Sequence, residues 1–219
     1  MNISLLLNQP SAEDLTLLLT ELSPLQYASL NCKLDKFVVH KIAKIMPVGA
    51  IAVEVGTYLG ATASIMAHAN ENLEIHAFDL FDDGIYAKNQ DTLIEQSLGK
   101  GQPRSLENVS KFVSKYKNIH LHKVVKNETV VFKQEIDFLI EDSSHRYPQL
   151  SDSMNNWLPK IKINGIVMLH DYRPYLPIDS PQRFLDVENY VDFLSNHTDW
   201  KFLGGFGDFA IFQRTHRQD

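Results

Sequence analysis

One cysteine, Cys32, stands in 219 residues, so no intramolecular disulfide can form, and a reducing, cytoplasmic compartment is the expected setting. No apolar run approaches the roughly 18 residues that a spanning helix requires. Leu5-Leu6-Leu7 has neither a basic leader nor a long apolar core around it, so neither a membrane span nor a signal peptide is expected. Positive charge is scarce as well: 21 basic residues face 27 acidic ones, a formal charge of −6, which offers no basic field to nucleic acid or to an anionic membrane. What remains is a chain of a length that suits one sheet-based domain.

The stretch around which the chain is organised is a buried strand, Ile51-Ala52-Val53-Glu54-Val55, that runs into the turn Gly56-Thr57-Tyr58-Leu59-Gly60 and then a helix, Ala61 to Ala69. Glycines at such a turn let backbone pass close to a ligand, and the N–H groups of the helix start point outward. A dinucleotide fingerprint would place glycine where Glu54 stands, and a carboxylate there repels a pyrophosphate, which disfavours a nicotinamide dehydrogenase. The same carboxylate suits a cationic ligand. Asp79, at the end of the next strand, Glu74 to Asp79, is placed to accept hydrogen bonds from a ribose. Each feature alone also fits a buried strand, a tight turn and a solvated Asp. Together, Glu54-x-Gly56-x-x-x-Gly60 and the strand ending in Asp79 resemble the class I S-adenosylmethionine-dependent methyltransferases. That resemblance implies a cofactor site at Glu54, Gly56, Thr57, Tyr58, Gly60, Asp79 and Leu80, with Asn127 of Lys126-Asn127-Glu128 beside the adenine.

Residues 1–48 read as a helical extension. Ser11 is placed as an N-cap before Leu15, Leu18, Leu19 and Leu22, and a second stripe comprises Leu34, Phe37, Val38, Ile42 and Ile45. Packing on the sheet edge, closing over a ligand, or pairing subunits of a homo-oligomer are all open to it. From residue 49 to 219 strand and helix patterns alternate, the signature of an α/β domain with a parallel sheet. Residues 81–103 lack a sustained period and exceed the usual connection, so a lid is expected there, with Phe81, Asp82 and Tyr86 turned inward. A helix carrying Leu106, Val109, Val113 and Tyr116 follows, then a strand from Ile119 to Val125. His120 and His122 share a face of that strand, a pair that could bind metal but has no third ligand nearby in sequence.

The polar ends of the next two strands carry the chemistry. Ile136 to Ile140 ends in Glu141-Asp142-Ser143-Ser144-His145-Arg146-Tyr147, and Ile166 to Leu169, entered by a turn at Lys162-Ile163-Asn164-Gly165, ends in His170-Asp171-Tyr172. Adjacent parallel strands would bring Asp142, His145, His170 and Asp171 to one rim. Such a group could hold Mg²⁺, move a proton from an acceptor hydroxyl, or do both, and each histidine alone could be structural. With Trp157-Leu158-Pro159, these residues resemble the small-molecule O-methyltransferases grouped with macrocin O-methyltransferase and the cephalosporin-hydroxylase-like proteins, over residues 49–213. The resemblance implies Mg²⁺ at Asp142, His170 and Asp171, with Asp142 shared between cofactor and acceptor. His170 replaces a common acid, and Asn164 a common glycine. Asp142, His145 and His170 are the catalytic candidates, His145 being the preferred base. The tail, Trp200 to Phe212, reads as two strands joined by a glycine turn. The resemblance then implies a three-layer α/β/α sandwich, a mostly parallel sheet in the order 3-2-1-4-5-7-6. A cofactor-binding sensor or scaffold without transfer activity is the alternative function.

Overall fold

The computed structural model describes residues 11–21, 32–81, 91–125 and 129–216. Seven strands form one sheet: β1 (Ile51–Val55), β2 (Glu74–Asp79), β3 (Ile119–Lys123), β4 (Ile136–Glu141), β5 (Ile161–Leu169), β6 (Trp200–Phe206) and β7 (Phe209–Arg214). Their order is β3-β2-β1-β4-β5-β7-β6, with β7 antiparallel to both β5 and β6 and the other pairs parallel. The order implied by the resemblance is the one observed. The chain leaves β1 toward β2 on one side, and β4 lies on the other. The crevice between β1 and β4 is therefore the switch point where a ligand can enter.

Strand alternation divides the core between the two faces. Ala52, Ile75, Ala77, Phe138, Ile140, Ile166 and Met168 pack on one side with α2 (Lys33–Ile45) and α3 (Ala61–Ala69). Val53, Val55, Phe78, Leu139, Val167 and Leu169 pack on the other with α6 (Tyr147–Trp157) and α7 (Leu185–Ser195). Short helices α4 (Asp91–Leu98) and α5 (Leu106–Val113) lie between β2 and β3 in sequence, and Ile94 and Val109 pack against Leu59 and Phe81. Of the first two helices, α1 (Ala12–Glu21) contributes Leu18 to the core. Helix α2 is covered more fully, with Phe37, Val38, Val39, Ile42 and Ala43 all buried, so its apolar stripe is packed against the chain's own sheet.

Three local expectations need correction. Residues 91–98 are helical rather than part of a long irregular lid, and Ile94 and Leu98, four apart, are too few to have shown a period. Asp82 and Tyr86 lie outside the described residues, as does Asn127. The third strand ends at Lys123, two residues earlier than expected. Lys162-Ile163-Asn164-Gly165 is not a turn before β5 but lies within it: Asn164 takes φ +66° and the register slips between Ile136 and Phe138. Asn-Gly chemistry has made a bulge here, and Gly165 fits because a Cβ would stand 2.7 Å from the Ile161 side chain.

Candidate functional site

The β1 turn is built by close backbone approach. Gly56 has φ +92°, and a Cβ on it would meet the backbone of Asp142 and Ser143. Gly60 has φ +80°, and a Cβ would meet Val113 of α5. The glycines thus let the β4 loop and α5 close on the turn, a packing reason that the sequence reading assigned to a ligand. Asp142 N–H donates to Val55 O at 2.8 Å, which fixes the β4 loop beside β1.

Asp79 clasps this turn. One carboxylate oxygen accepts from Tyr58 N–H at 2.8 Å, and the other accepts from Phe81 N–H at 2.8 Å and pairs with Arg104 Nη1 at 2.7 Å. Tyr58 and Phe81 both hold positive φ, 51° and 45°, an unusual state for bulky residues that persists only where the surroundings over-determine it. Asp79 and the fully buried Arg104 supply that constraint. Leu80 is half-buried.

Glu54 is buried, and its carboxyl accepts from the Thr57 hydroxyl at 2.5 Å. Burial first, with Asp142 and Asp79 adding repulsion against the bonds from Thr57 and Thr62, pushes it up to about 8. A cation brought beside this carboxyl would favour its ionised form, against the burial and the neighbouring anions that keep it neutral. Glu141, at the end of β4, is likewise raised to about 7, by burial that outweighs its bonds to Ser143 and Ser153. Both acids hold a proton when folded at pH values where the unfolded chain, with glutamates near 4.5, has lost it. Their contribution to stability is therefore complete below 4.5 and falls as pH rises through 7 and 8. The melting temperature of the free chain is expected to drop between pH 5 and pH 8, and Glu54→Gln to flatten the upper part of that fall. A flat profile in the wild-type chain would show that these acids are not buried neutral.

The rim at β4 and β5 brings together the residues expected there. His170 Nδ1 lies 3.0 Å from Asp142 Oδ1 and 3.6 Å from Asp171 Oδ1, while His145 Nε2 lies 2.6 Å from Asp171 Oδ2 and 4.0 Å from Asp142 Oδ1. Asp171 adopts φ 62°, left-handed as Tyr58 and Phe81 are. Asp142, His170 and Asp171 can each offer a ligand atom within 4.8 Å of the others, as a metal ion would need. Burial raises Asp142, yet His170 and His145 outweigh it and hold the group at about 2. Burial also lowers both imidazoles, but the aspartates reverse this, carrying His145 up to about 9 and His170 well above the usual range. His145 is accordingly a cation near neutrality in the free chain and donates there. It can accept a proton only near pH 9 or after Asp142 and Asp171 engage another cation.

Three site residues escaped the sequence reading. Asp35, from α2, is wholly buried, accepts from Asp208 N–H at 2.7 Å and faces His170 Nε2 at 3.6 Å. Asp208, in the β6–β7 turn, pairs with Arg173 Nε at 2.8 Å, and Arg173 Nη2 lies 2.5 Å from Asp171. Four carboxylates thus face two imidazoles and one guanidinium. Nothing in the spacing of Asp35 or Asp208 signals this, because each arrives from a distant element. A cleft of about 470 Å³ opens next to them, lined by Leu34, Tyr175, Phe206 and Asp208 among others.

A sheet of this order, with polar residues gathered at the β1–β4 switch point, is the architecture of the class I S-adenosylmethionine-dependent methyltransferases. The chain belongs to the methyltransferase-domain family, whose model matches residues 53–172, more than half its length. No curated protein matches it significantly. Among solved structures, a Staphylococcus aureus protein assigned as a caffeoyl-CoA O-methyltransferase superposes with TM-score 0.62 at 12% identity, over 92% of this chain and 96% of that one. The O-methyltransferase TomG of Streptomyces achromogenes, involved in tomaymycin synthesis and solved with S-adenosylmethionine, gives 0.54 at 13% identity, over 98% and 94%. A Clostridium thermocellum protein assigned as an rRNA methylase gives 0.57 at 11%, over 82% and 94%. At these identities the likeness is one of fold. Among the described residues no helix is long and apolar enough to cross a membrane.

Proposed function

We propose that this chain is an S-adenosylmethionine-dependent methyltransferase that acts on a hydroxyl oxygen of a small molecule. The observation that carries this is the convergence of Asp142, His145, His170 and Asp171 beside the β1 turn, where the buried carboxyl of Glu54 lies near Asp79 and Asp142. That set of acids suits a sulfonium cofactor and fits poorly with a pyrophosphate. Asp79 would take the ribose through the acceptor capacity left on its Tyr58-bound oxygen, or by displacing Arg104. A bound sulfonium and ammonium would favour the ionised form of Glu54.

Transfer to oxygen rests on the rim. The donor set of two carboxylates and an imidazole at Asp142, His170 and Asp171 fits a divalent cation once His170 gives up its proton to the incoming charge. Such an ion would lower the pKa of an acceptor hydroxyl and orient it. Asp142 would stand between cofactor and acceptor, His145 would carry the acceptor's proton once its aspartates are engaged elsewhere, and Arg173 would keep Asp171 in place. Holding two reactants in line supplies most of the acceleration in this chemistry, and the proton transfer a further 10²–10⁴-fold or so. The rRNA methylases among the neighbours supply a second acceptor class, but a formal charge of −6 offers a polyanion no steering field.

Calorimetric titration of the purified chain with S-adenosylmethionine and with S-adenosylhomocysteine, each with and without Mg²⁺, tests the reading. Both are expected to bind, and Mg²⁺ to increase the affinity for S-adenosylmethionine. Absence of heat for either nucleoside would remove the methyltransferase reading for this chain.

A further inference from the structure

Away from the rim, the outer part of the sheet carries a cluster that methyl transfer does not use. Alternation places His76 and Phe78 of β2 and His120 and His122 of β3 on one face, with His76 opposite His120 and Phe78 opposite His122. The segment between β3 and β4 carries no α-helix among its described residues, so Val124, Val130 and Phe132 cover this end of the face in place of a helix. His76 is buried, His122 half-buried and His120 exposed.

The geometry of the pair is specific. His76 Nδ1 stands 3.0 Å from His122 Nε2, and His76 Nε2 stands 2.9 Å from Glu74 Oε1. An ionised carboxylate only accepts, so Glu74 holds the hydrogen of neutral His76 on Nε2 and leaves the Nδ1 lone pair aimed at His122. Stacking fixes the rings: His122 lies 4.5 Å from Phe78, His76 lies 5.1 Å from His120, and Phe132 meets His76 edge-on at 5.0 Å. In the metal-free chain His122 Nε2–H donates across the gap. Two Zn–N bonds of about 2.0–2.1 Å at the tetrahedral angle set their nitrogens about 3.3 Å apart, so an ion needs the two nitrogens to part by a few tenths of an ångström and both rings to turn until their lone pairs converge on it. A carboxylate on the far nitrogen of a ligand imidazole is the arrangement that orients metal-binding histidines. Burial lowers both imidazoles, which favours the neutral, ligating form.

We propose that His76 and His122, oriented by Glu74 and flanked by His120, form a binding site for an imidazole-preferring divalent transition metal such as Zn²⁺, Ni²⁺ or Cu²⁺. On binding, the His122 proton passes from Nε2 to Nδ1, both lone pairs face the ion, and water completes the coordination. Mg²⁺, which takes oxygen ligands, is not held here. The site is chemically separate from the carboxylate-rich rim and does not depend on the methyltransferase reading.

The test uses the full chain without a histidine tag, carrying His170→Ala so that the candidate metal group of Asp142, His170 and Asp171 loses its imidazole. Calorimetry with ZnCl₂ and with NiCl₂ is expected to show one equivalent bound. His122→Ala in the same background should lower affinity at least tenfold, and Glu74→Gln by about tenfold. If His122→Ala proves misfolded by circular dichroism, His122→Asn keeps a donor toward His76 without the imidazole, and the same loss is expected. Failure of the His170→Ala chain to bind either ion, or unchanged affinity in the folded His122 variant, would show that the cluster is only a hydrogen-bonded pair and overturn the proposal.

Discussion

Asp79→Ala is expected to lower stability in urea unfolding by about 3–5 kcal/mol, because it leaves a buried guanidinium without its anion. Arg104 is 2% exposed and its side chain pairs with Asp79 at 2.7 Å. The same carboxylate holds Tyr58 and Phe81 in left-handed conformations. Releasing them should let the β1 turn relax, relieving some strain but dissolving the cofactor cradle. S-adenosylmethionine affinity should consequently fall by more than tenfold in calorimetry. Asp79→Asn separates the two effects, since an amide oxygen can still accept from a backbone N–H while the charge is gone. It should lose the Arg104 pair yet keep part of the turn. A melting curve for Asp79→Ala that matches wild type would refute the clasp, and unchanged affinity in a folded variant would withdraw the ribose assignment.

This double duty explains what the sequence could and could not reveal. β1 and β4 are short, largely apolar and bounded by turn residues, and β2 and β3 alternate, so period and punctuation located them, and the rim residues followed because parallel strands align their carboxyl ends. Strand order came from the family resemblance, since alternation alone does not decide which edge β3 joins. Asp79 was legible as an acid at a strand end, but its partner was not. Arg104 lies 25 residues away between two short helices and meets Asp79 only once the connection folds back. Asn164-Gly165 misled because the same dipeptide serves a turn or a bulge, and register with β4 chose the bulge. The His120-x-His122 pair showed its face but not His76, which register alone supplies.

The longest reach is that of Asp35, and Asp35→Ala is expected to cost about 3–5 kcal/mol as well, for a different reason. At the third position of α2 it accepts from Cys32 N–H at 2.8 Å, and so closes the start of the helix. Its other oxygen accepts from Asp208 N–H at 2.7 Å, tying α2 to the β6–β7 turn, where Gly207 leaves no room for a Cβ beside that oxygen. Burial would raise its pKa, but His170 outweighs this and lowers it, which makes the pair ionic. Removing the carboxylate leaves His170 charged against fewer anions, so much of the loss should come from that imidazole. Asp35→Ala combined with His170→Ala should then be less destabilised than the two single losses added together, by more than about 0.5 kcal/mol in a double-mutant cycle. Additive losses would mean that Asp35 acts on α2 and the turn alone. Since Asp35 does not bond to the β1 turn, S-adenosylmethionine binding without Mg²⁺ should change far less than in Asp79→Ala, while any Mg²⁺ enhancement through His170 should diminish. An N-terminal helix that sets the orientation of a rim imidazole is then part of the site.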